Sequence, residues 1–198
     1  MYMTRRTAVL VALLSMLVGC AGNNFVRPST DTFKLGQTTY SQIVKQLGEP
    51  RKVGDVLKNG NKIKSITYSY ATTFGEPLDA GIIPARALEF FFYNDTLVGQ
   101  QFVSSFKPDN TDFDEAKIDS LIKGQTTRAE VIQLLGNPSS SYIPPMVKET
   151  SGEAFGYNYI TTRKLFLGGL KFFRKNLKIT FDEKGLVLDT DYMSSGER

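Results

Sequence analysis

The apolar pattern of Gly36–Pro50 returns 88 residues later in Gly124–Pro138. Each copy carries apolar residues at i, i+1 and i+4, a spacing that puts them on one face of a helix. Glycine, glutamine, threonine, leucine and proline also recur in register. The chain therefore contains an internal repeat, and we expect that repeat to set its architecture.

Both copies carry their own signals for the start and the end of a helix. Thr39 and Thr127 stand where a hydroxyl caps the first turn, each followed three residues later by a residue that completes a capping box. A glycine and then a proline end each copy. A phosphate-binding loop is excluded because the Gly-x-x-x-x-Gly-Lys spacing is missing. The two copies therefore predict two short helices.

Alternating apolar and polar residues after each helix predict three strands in each half. The predicted strands are residues 63–70, 87–93 and 97–105, matched at an offset of 89 by residues 155–159, 176–181 and 186–192. The segments between them, at 51–62, 72–86, 139–153 and 161–175, are expected to be turns, loops and connections. A further helical stripe is predicted at 112–123.

We therefore expect an α+β fold class built from two tandem units. Each unit would have one or two short helices packed on a three-stranded antiparallel sheet. Unit 1 is expected at residues 33–105 and unit 2 at residues 112–194.

The N-terminal segment has the order of a bacterial lipoprotein signal. Arg5 and Arg6 precede an apolar run at residues 7–18, and small residues then lead to Cys20. This arrangement resembles a lipobox, which implies a signal peptide at 1–19, acylation of Cys20 and a tether at 20–32. An ordinary secretory signal is the alternative. Ala21, at the position where an inner-membrane retention signal has aspartate, implies the outer membrane and its periplasmic face.

Composition does not favour catalysis or nucleic-acid binding. The net charge is only +4, and Arg5 and Arg6 supply two of these charges. The chain has no histidine, so it lacks an imidazole base or ligand, and acylation would consume its single cysteine. The acidic clusters suit a helix start and a hairpin turn. We predict a protein that is not an enzyme and holds no cofactor or metal.

Four stretches of the second half resemble the SmpA/OmlA family, also called BamE-like. These stretches are Phe113–Ile118, Ile122–Thr127, Glu130–Pro138 and Phe181–Leu186. The resemblance covers most of 112–192 and, more weakly, 33–105. Members are small outer-membrane lipoproteins, and the best known is an accessory part of the β-barrel assembly machine. The resemblance implies a binding or scaffold role in outer-membrane protein assembly or envelope maintenance, with envelope proteins as partners.

The duplication also resembles the β-lactamase inhibitory proteins, which bind an enzyme across a concave sheet. It therefore implies a second function, that of a protein inhibitor or sensor that binds an envelope enzyme. The sequence leaves both functions open.

Aligning the units at the offset of 89 exposes a difference on the sheet face opposite to the helices. Thr180 and Asp191 of unit 2 match Phe91 and Phe102 of unit 1. Exposed aromatic residues mark interfaces. We predict that Phe91 and Phe102 belong to a partner-binding or inter-unit surface, the alternative being that a loop or the other unit covers them.

A second candidate surface lies before the last predicted hairpin. Basic and apolar residues interleave there around two glycines, as in segments that touch anionic lipid headgroups. Ordinary core packing of the apolar residues is the alternative. The residues of this candidate lipid-contact loop are Lys164, Lys171, Phe172, Phe173, Arg174 and Lys175.

Overall fold

A computed structural model describes residues 22–29, 31–148 and 152–197. The expected signal peptide and Cys20 lie outside the described residues. Within these ranges lie two α-helices, α1 (Tyr40–Leu47) and α2 (Arg128–Leu135). The strands are β1 (Lys52–Lys58), β2 (Asn61–Ala71), β3 (Ala85–Tyr93), β4 (Thr96–Ser104), β5 (Ser140–Tyr142), β6 (Glu153–Lys164), β7 (Leu170–Phe181) and β8 (Val187–Gly196).

All eight strands form one antiparallel sheet, in the order of the sequence. The expected fold class, two tandem units with separate three-stranded sheets, is therefore wrong. Two strands lie where a turn region and a polar loop were expected, namely β1 and β5. The short β5 pairs with β4 on one side and β6 on the other, and this pairing joins the two halves.

The predicted helix caps are present in both copies. The Thr39 hydroxyl accepts from the Gln42 backbone N–H, and the Gln42 side chain accepts from the Thr39 N–H. Thr127 and Glu130 form the same reciprocal pair. By contrast, the expected helix at 112–123 is only a short 3-10 helix at Glu115–Ser120.

The two helices lie on one face of the sheet, and each covers a separate apolar core. Under α1 the core is Phe33, Ile43, Ile66, Tyr68, Leu88, Phe90, Phe92, Leu97 and Phe102. Under α2 it is Phe113, Leu121, Val131, Phe155, Tyr157, Leu177, Ile179, Phe181 and Val187. We call this side the helix face.

The segment expected to be a tether packs against the helix face between Gly22 and Ser29. Phe25 contacts the α1 core, and its carbonyl accepts a hydrogen bond from Arg86. The Arg27 guanidinium donates to the Pro138 carbonyl and lies 4.9 Å from the centre of the Phe102 ring. These contacts fix the polypeptide across the junction between the two halves.

The predicted placement of Phe102 on the face opposite to the helices is wrong. A β-bulge follows the turn between β3 and β4, so that Phe91 pairs with Gly99 while Phe92 pairs with Leu97. Val98 is the extra residue in β4. Because of it, each residue from Gly99 onward faces the side of the sheet opposite to the one that an unbroken alternation predicts. Phe102 therefore lies in the α1 core, 2% exposed.

The offset of 89 also fails beyond the last turn, where the second half has one more residue. Leu177 pairs with Tyr192 in the position where Leu88 pairs with Phe102. The counterpart of Phe102 is therefore Tyr192, not Asp191. Tyr192 also packs on the helix side, edge-to-face with Phe113.

Replacing Phe102 tests whether its side chain lies in the core under α1 or on the opposite face of the sheet. We expect Phe102→Ala to lower the free energy of unfolding by about 3–5 kcal/mol, because it removes a buried ring from a closed core. The matched control is Phe172→Ala, since Phe172 is 59% exposed and should cost no more than about 0.5 kcal/mol. Urea unfolding followed by circular dichroism measures both, and equal losses would contradict the register described above.

Candidate functional site

The face opposite to the helices carries one continuous row of polar or small residues across all eight strands. Directly paired residues of neighbouring strands lie on the same face of a sheet. The row, which we call the polar row, runs from β1 to β8 through Lys52, Thr67, Glu89, Gln101, Ser140, Gly156, Lys178 and Asp191.

The sheet is curled, with the polar row on its concave face. A flat sheet of eight strands would separate β1 from β8 by about 34 Å. Yet Lys58 of β1 and Met193 of β8 line the same cavity of about 290 Å³, together with Asn158, Lys178 and Asp191. We call this side of the sheet the concave face.

A segment at 142–148 covers part of the concave face and encloses Phe91. Tyr142, Ile143 and Met146 pack there against Phe91, which is 8% exposed. Phe91 thus lies at a contact between the two halves of the chain, on the opposite side of the sheet from Phe102. The structure does not bring the two phenylalanines together.

Hydrogen bonds fix the side chains in the middle of the polar row. The Tyr142 hydroxyl donates to Gln101 Oε1 at 2.8 Å. The side-chain amide of Asn158 donates to the Ser140 hydroxyl at 2.7 Å, and the Asn158 backbone carbonyl accepts from the Thr111 hydroxyl at 2.7 Å. These bonds hold the centre of the concave face in one arrangement before any partner arrives.

Two ionisable groups of the concave face are desolvated. Burial raises the pKa of the Glu89 carboxyl, and the charge of Lys52 opposes that effect more weakly. Burial is also the main cause that raises the pKa of Tyr142 to about 12. Burial of the Glu89 carboxyl therefore opposes its ionisation, and the charged form of this group costs the folded protein stability.

The residues of the candidate lipid-contact loop divide between the surface and the core. They lie on the hairpin of β6 and β7, not in a connection as expected. Phe172 is 59% exposed, whereas Phe173 is buried against Tyr159. Lys164, Lys171 and Arg174 flank the end of the hairpin.

Lys175 does not belong to an exposed loop. Its side chain is 3% exposed, pairs with Asp112 at 2.8 Å and donates to the Phe113 carbonyl. A buried ammonium needs such partners, because an unpaired charge in the core would be costly. Its expected role in lipid contact is therefore wrong.

The sequence places Lys178 and Asp191 on the face opposite to the helices, but it does not show that a row of polar or small residues continues across the other strands. The alternation of each strand marked its outward residues, but the pairing across β5 was needed to align them. Among the described residues there is no group of three or more acidic, histidine or cysteine side chains that could hold a metal ion. No helix in the described ranges has the length and apolar character to cross a bilayer.

The charge of Glu89 should limit stability at neutral pH. A carboxyl whose pKa is raised by folding contributes stability below its unfolded pKa, and this is lost as pH rises through the folded pKa. Glu89→Gln has no carboxyl to ionise, so we expect its urea midpoint at pH 7 to be higher than that of the wild-type protein. The difference between the two midpoints should vanish below the ordinary carboxyl pKa of about 4.3.

The matched control is Glu49→Gln, because Glu49 is an exposed residue near the end of α1. We expect this change to leave the midpoint nearly unaltered at both pH values. A lower midpoint for Glu89→Gln at pH 7 would show instead that the Glu89 carboxylate is stabilised in place.

Comparisons with known proteins leave the family of this chain open. No protein-family model and no curated protein matches the chain. One solved structure, from Streptococcus mutans, is described as a "putative beta-lactamase inhibitor protein". It is 14% identical, with a TM-score of 0.40 over 79% of this chain and 82% of that chain. At that score the similarity carries no argument about fold or function.

Proposed function

We propose that this chain is an outer-membrane lipoprotein, facing the periplasm, that binds another protein on its concave face without catalysis. The anchor part of the proposal is supported by the basic residues, apolar run and Cys20 of the N-terminal sequence. The binding part rests on a single observation, the polar row that crosses all eight strands.

The concave face has the size of a protein interface. A specific interface buries about 800 Å² on each partner, which corresponds to a patch about 28 Å on a side. The polar row would span about 34 Å if flattened. The centre of the row, at Ser140 and Gly156, is buried, but the residues on either side of it keep exposed surface. A surface of this width suits a folded partner better than a small molecule.

The cavity near β8 offers an anchor point within that face. Met146 and Met193 line it from two sides, and Lys178 and Asp191 supply opposite charges. Methionine adapts to different shapes, and buried anchor side chains in such pockets supply much of the affinity of interfaces. We infer that a partner side chain enters this cavity while the polar row contacts the surrounding surface.

Two classes of partner fit this surface. The favoured class is a component of outer-membrane protein assembly or envelope maintenance, such as the β-barrel assembly machine. The competing class is a soluble envelope enzyme that the chain inhibits or senses. Both would use the concave face, so the identity of the bound protein distinguishes them.

Acylation of Cys20 is directly testable. In cells supplied with labelled palmitate, the wild-type chain should incorporate the label and Cys20→Ala should not, because the thiol carries an acyl group. Cys20 is the only cysteine of the chain, so the comparison needs no other variant. Absence of label from the wild-type chain would remove the lipoprotein proposal.

A photo-crosslinking residue can test the concave face in living cells. At Met193 it should give a discrete adduct, because that side chain is 45% exposed at the rim of the cavity. At Gln133, an exposed position of α2 on the helix face, it should give none. Mass spectrometry of the adduct then separates an assembly component from a soluble enzyme.

Charge reversal near the cavity supplies a second readout. Lys178→Glu should reduce the yield of the Met193 adduct, since it replaces the cation that lines the cavity with a second anion beside Asp191. Lys184→Glu, in the turn before β8, changes the net charge equally and should leave the yield unaltered. Similar adducts from Met193 and Gln133 would contradict binding at the concave face.

A further inference from the structure

The hairpin of β6 and β7 ends in a run of large apolar side chains that face solvent. Phe166 and Leu167 are almost fully exposed, at 102% and 95%. Leu165, Leu170 and Phe172 are 40%, 52% and 59% exposed. We call residues 165–172 the hairpin tip. A continuous apolar projection of this kind is costly in water and marks an interaction site.

Basic side chains surround the base of the hairpin tip. Arg163 and Lys164 come just before it, Lys171 lies within it and Arg174 follows. The acidic Glu197, nearby at the end of β8, pairs with Lys171. The hairpin thus has apolar residues at its tip and cations at its base. This order matches a bilayer, in which the acyl chains lie beneath anionic headgroups.

A second exposed aromatic residue lies at the same end of the sheet. Since neighbouring strands are antiparallel, β2 and β6 run in the same direction, and the ends at Ala71 and Lys164 lie on one side. The loop after β2 carries Phe74, which is 97% exposed. The same loop contacts the hairpin, where the Ile83 N–H donates to the Thr162 carbonyl at 2.8 Å.

The described chain also begins at this end. Gly22 packs so closely against the Ser69 carbonyl, near the end of β2, that a Cβ at Gly22 would collide with it. Gly22 is two residues from Cys20, the proposed site of acylation. A lipid anchor at Cys20 would therefore hold the same end of the sheet near the membrane.

We propose that the hairpin tip and Phe74 insert into an anionic lipid bilayer and form a second membrane contact beside the lipid anchor. The proposal deepens the proposed function, and only its orientation argument rests on acylation of Cys20. The exposed tip and its basic flanks do not depend on the anchor. A partner protein fits less well, because the tip projects from the sheet and offers no groove.

A tryptophan at the tip can report insertion, because the chain contains no other tryptophan. Phe166→Trp is introduced into the full chain, which is reconstituted in phosphatidylcholine vesicles with or without phosphatidylglycerol. With phosphatidylglycerol present, we expect a blue shift of the emission and quenching by brominated acyl chains. Lys164→Gln in this background should lower the ratio of inserted to free tip about fivefold, because it removes one cation near the anionic surface. Added salt should also lower this ratio, because it screens all the basic residues at once.

The matched control is Leu57→Trp. Leu57 is 78% exposed and lies beside the turn at Asn59, at the opposite end of the sheet. Its emission should stay unshifted and unquenched in the same vesicles. Equal quenching at both positions would overturn the proposed orientation.

The remaining outcomes separate this inference from the proposed function. If Cys20 is acylated and the protein is bound to vesicles but Phe166→Trp is not quenched, the inference is wrong and the lipoprotein proposal stands. If the tip is quenched while mass spectrometry finds Cys20 unmodified, the inference about the tip stands and the lipoprotein proposal is wrong. A blue shift without lipid that grows with protein concentration would assign the tip to a second copy of the chain and overturn the inference.

Discussion

Pairing along the short strand β5 is the constraint that makes one sheet from two repeated halves. Three residue pairs join β5 to β4, and without them both halves would present an open strand edge at this point. Two glycines make the junction possible. A Cβ at Gly99 would lie 2.7 Å from the Tyr142 ring, and one at Gly156 would lie 3.0 Å from the Ser140 side chain. The same close packing sets the centre of the concave face.

The two halves carry different basic residues at equivalent positions, and these residues make the same contacts. Arg86 on β3 and Lys175 on β7 each donate to the carbonyl of a phenylalanine in the segment that precedes a helix. Each also pairs with an aspartate, at 3.1 Å and 2.8 Å. These cations fasten each N-terminal segment to its half of the sheet, so Lys175 of the β6–β7 hairpin has a structural role and not a surface one.

Features with local causes could be predicted from the sequence, while features set by pairing could not. The capping boxes at Thr39 and Thr127 depend on residues three positions apart, and both are present. The bulge at Val98 leaves no local signal, yet it decides that Phe102 faces the helices. The pairing of Ser140–Tyr142 is equally invisible, because a three-residue strand between polar loops has no readable period. The polar row depends on that pairing and was missed with it.

The two proposals together predict the orientation of the sheet on the membrane, and therefore the direction in which the concave face meets a partner. If the hairpin tip and the lipid anchor both face the bilayer, the strands run roughly along the membrane normal. The concave face then opens sideways, along the membrane plane, and does not point away from the membrane. The longest strands, of twelve residues, extend about 40 Å, so the polar row lies within that distance of the lipid surface. This geometry favours a partner that is itself held at the membrane over a freely diffusing enzyme.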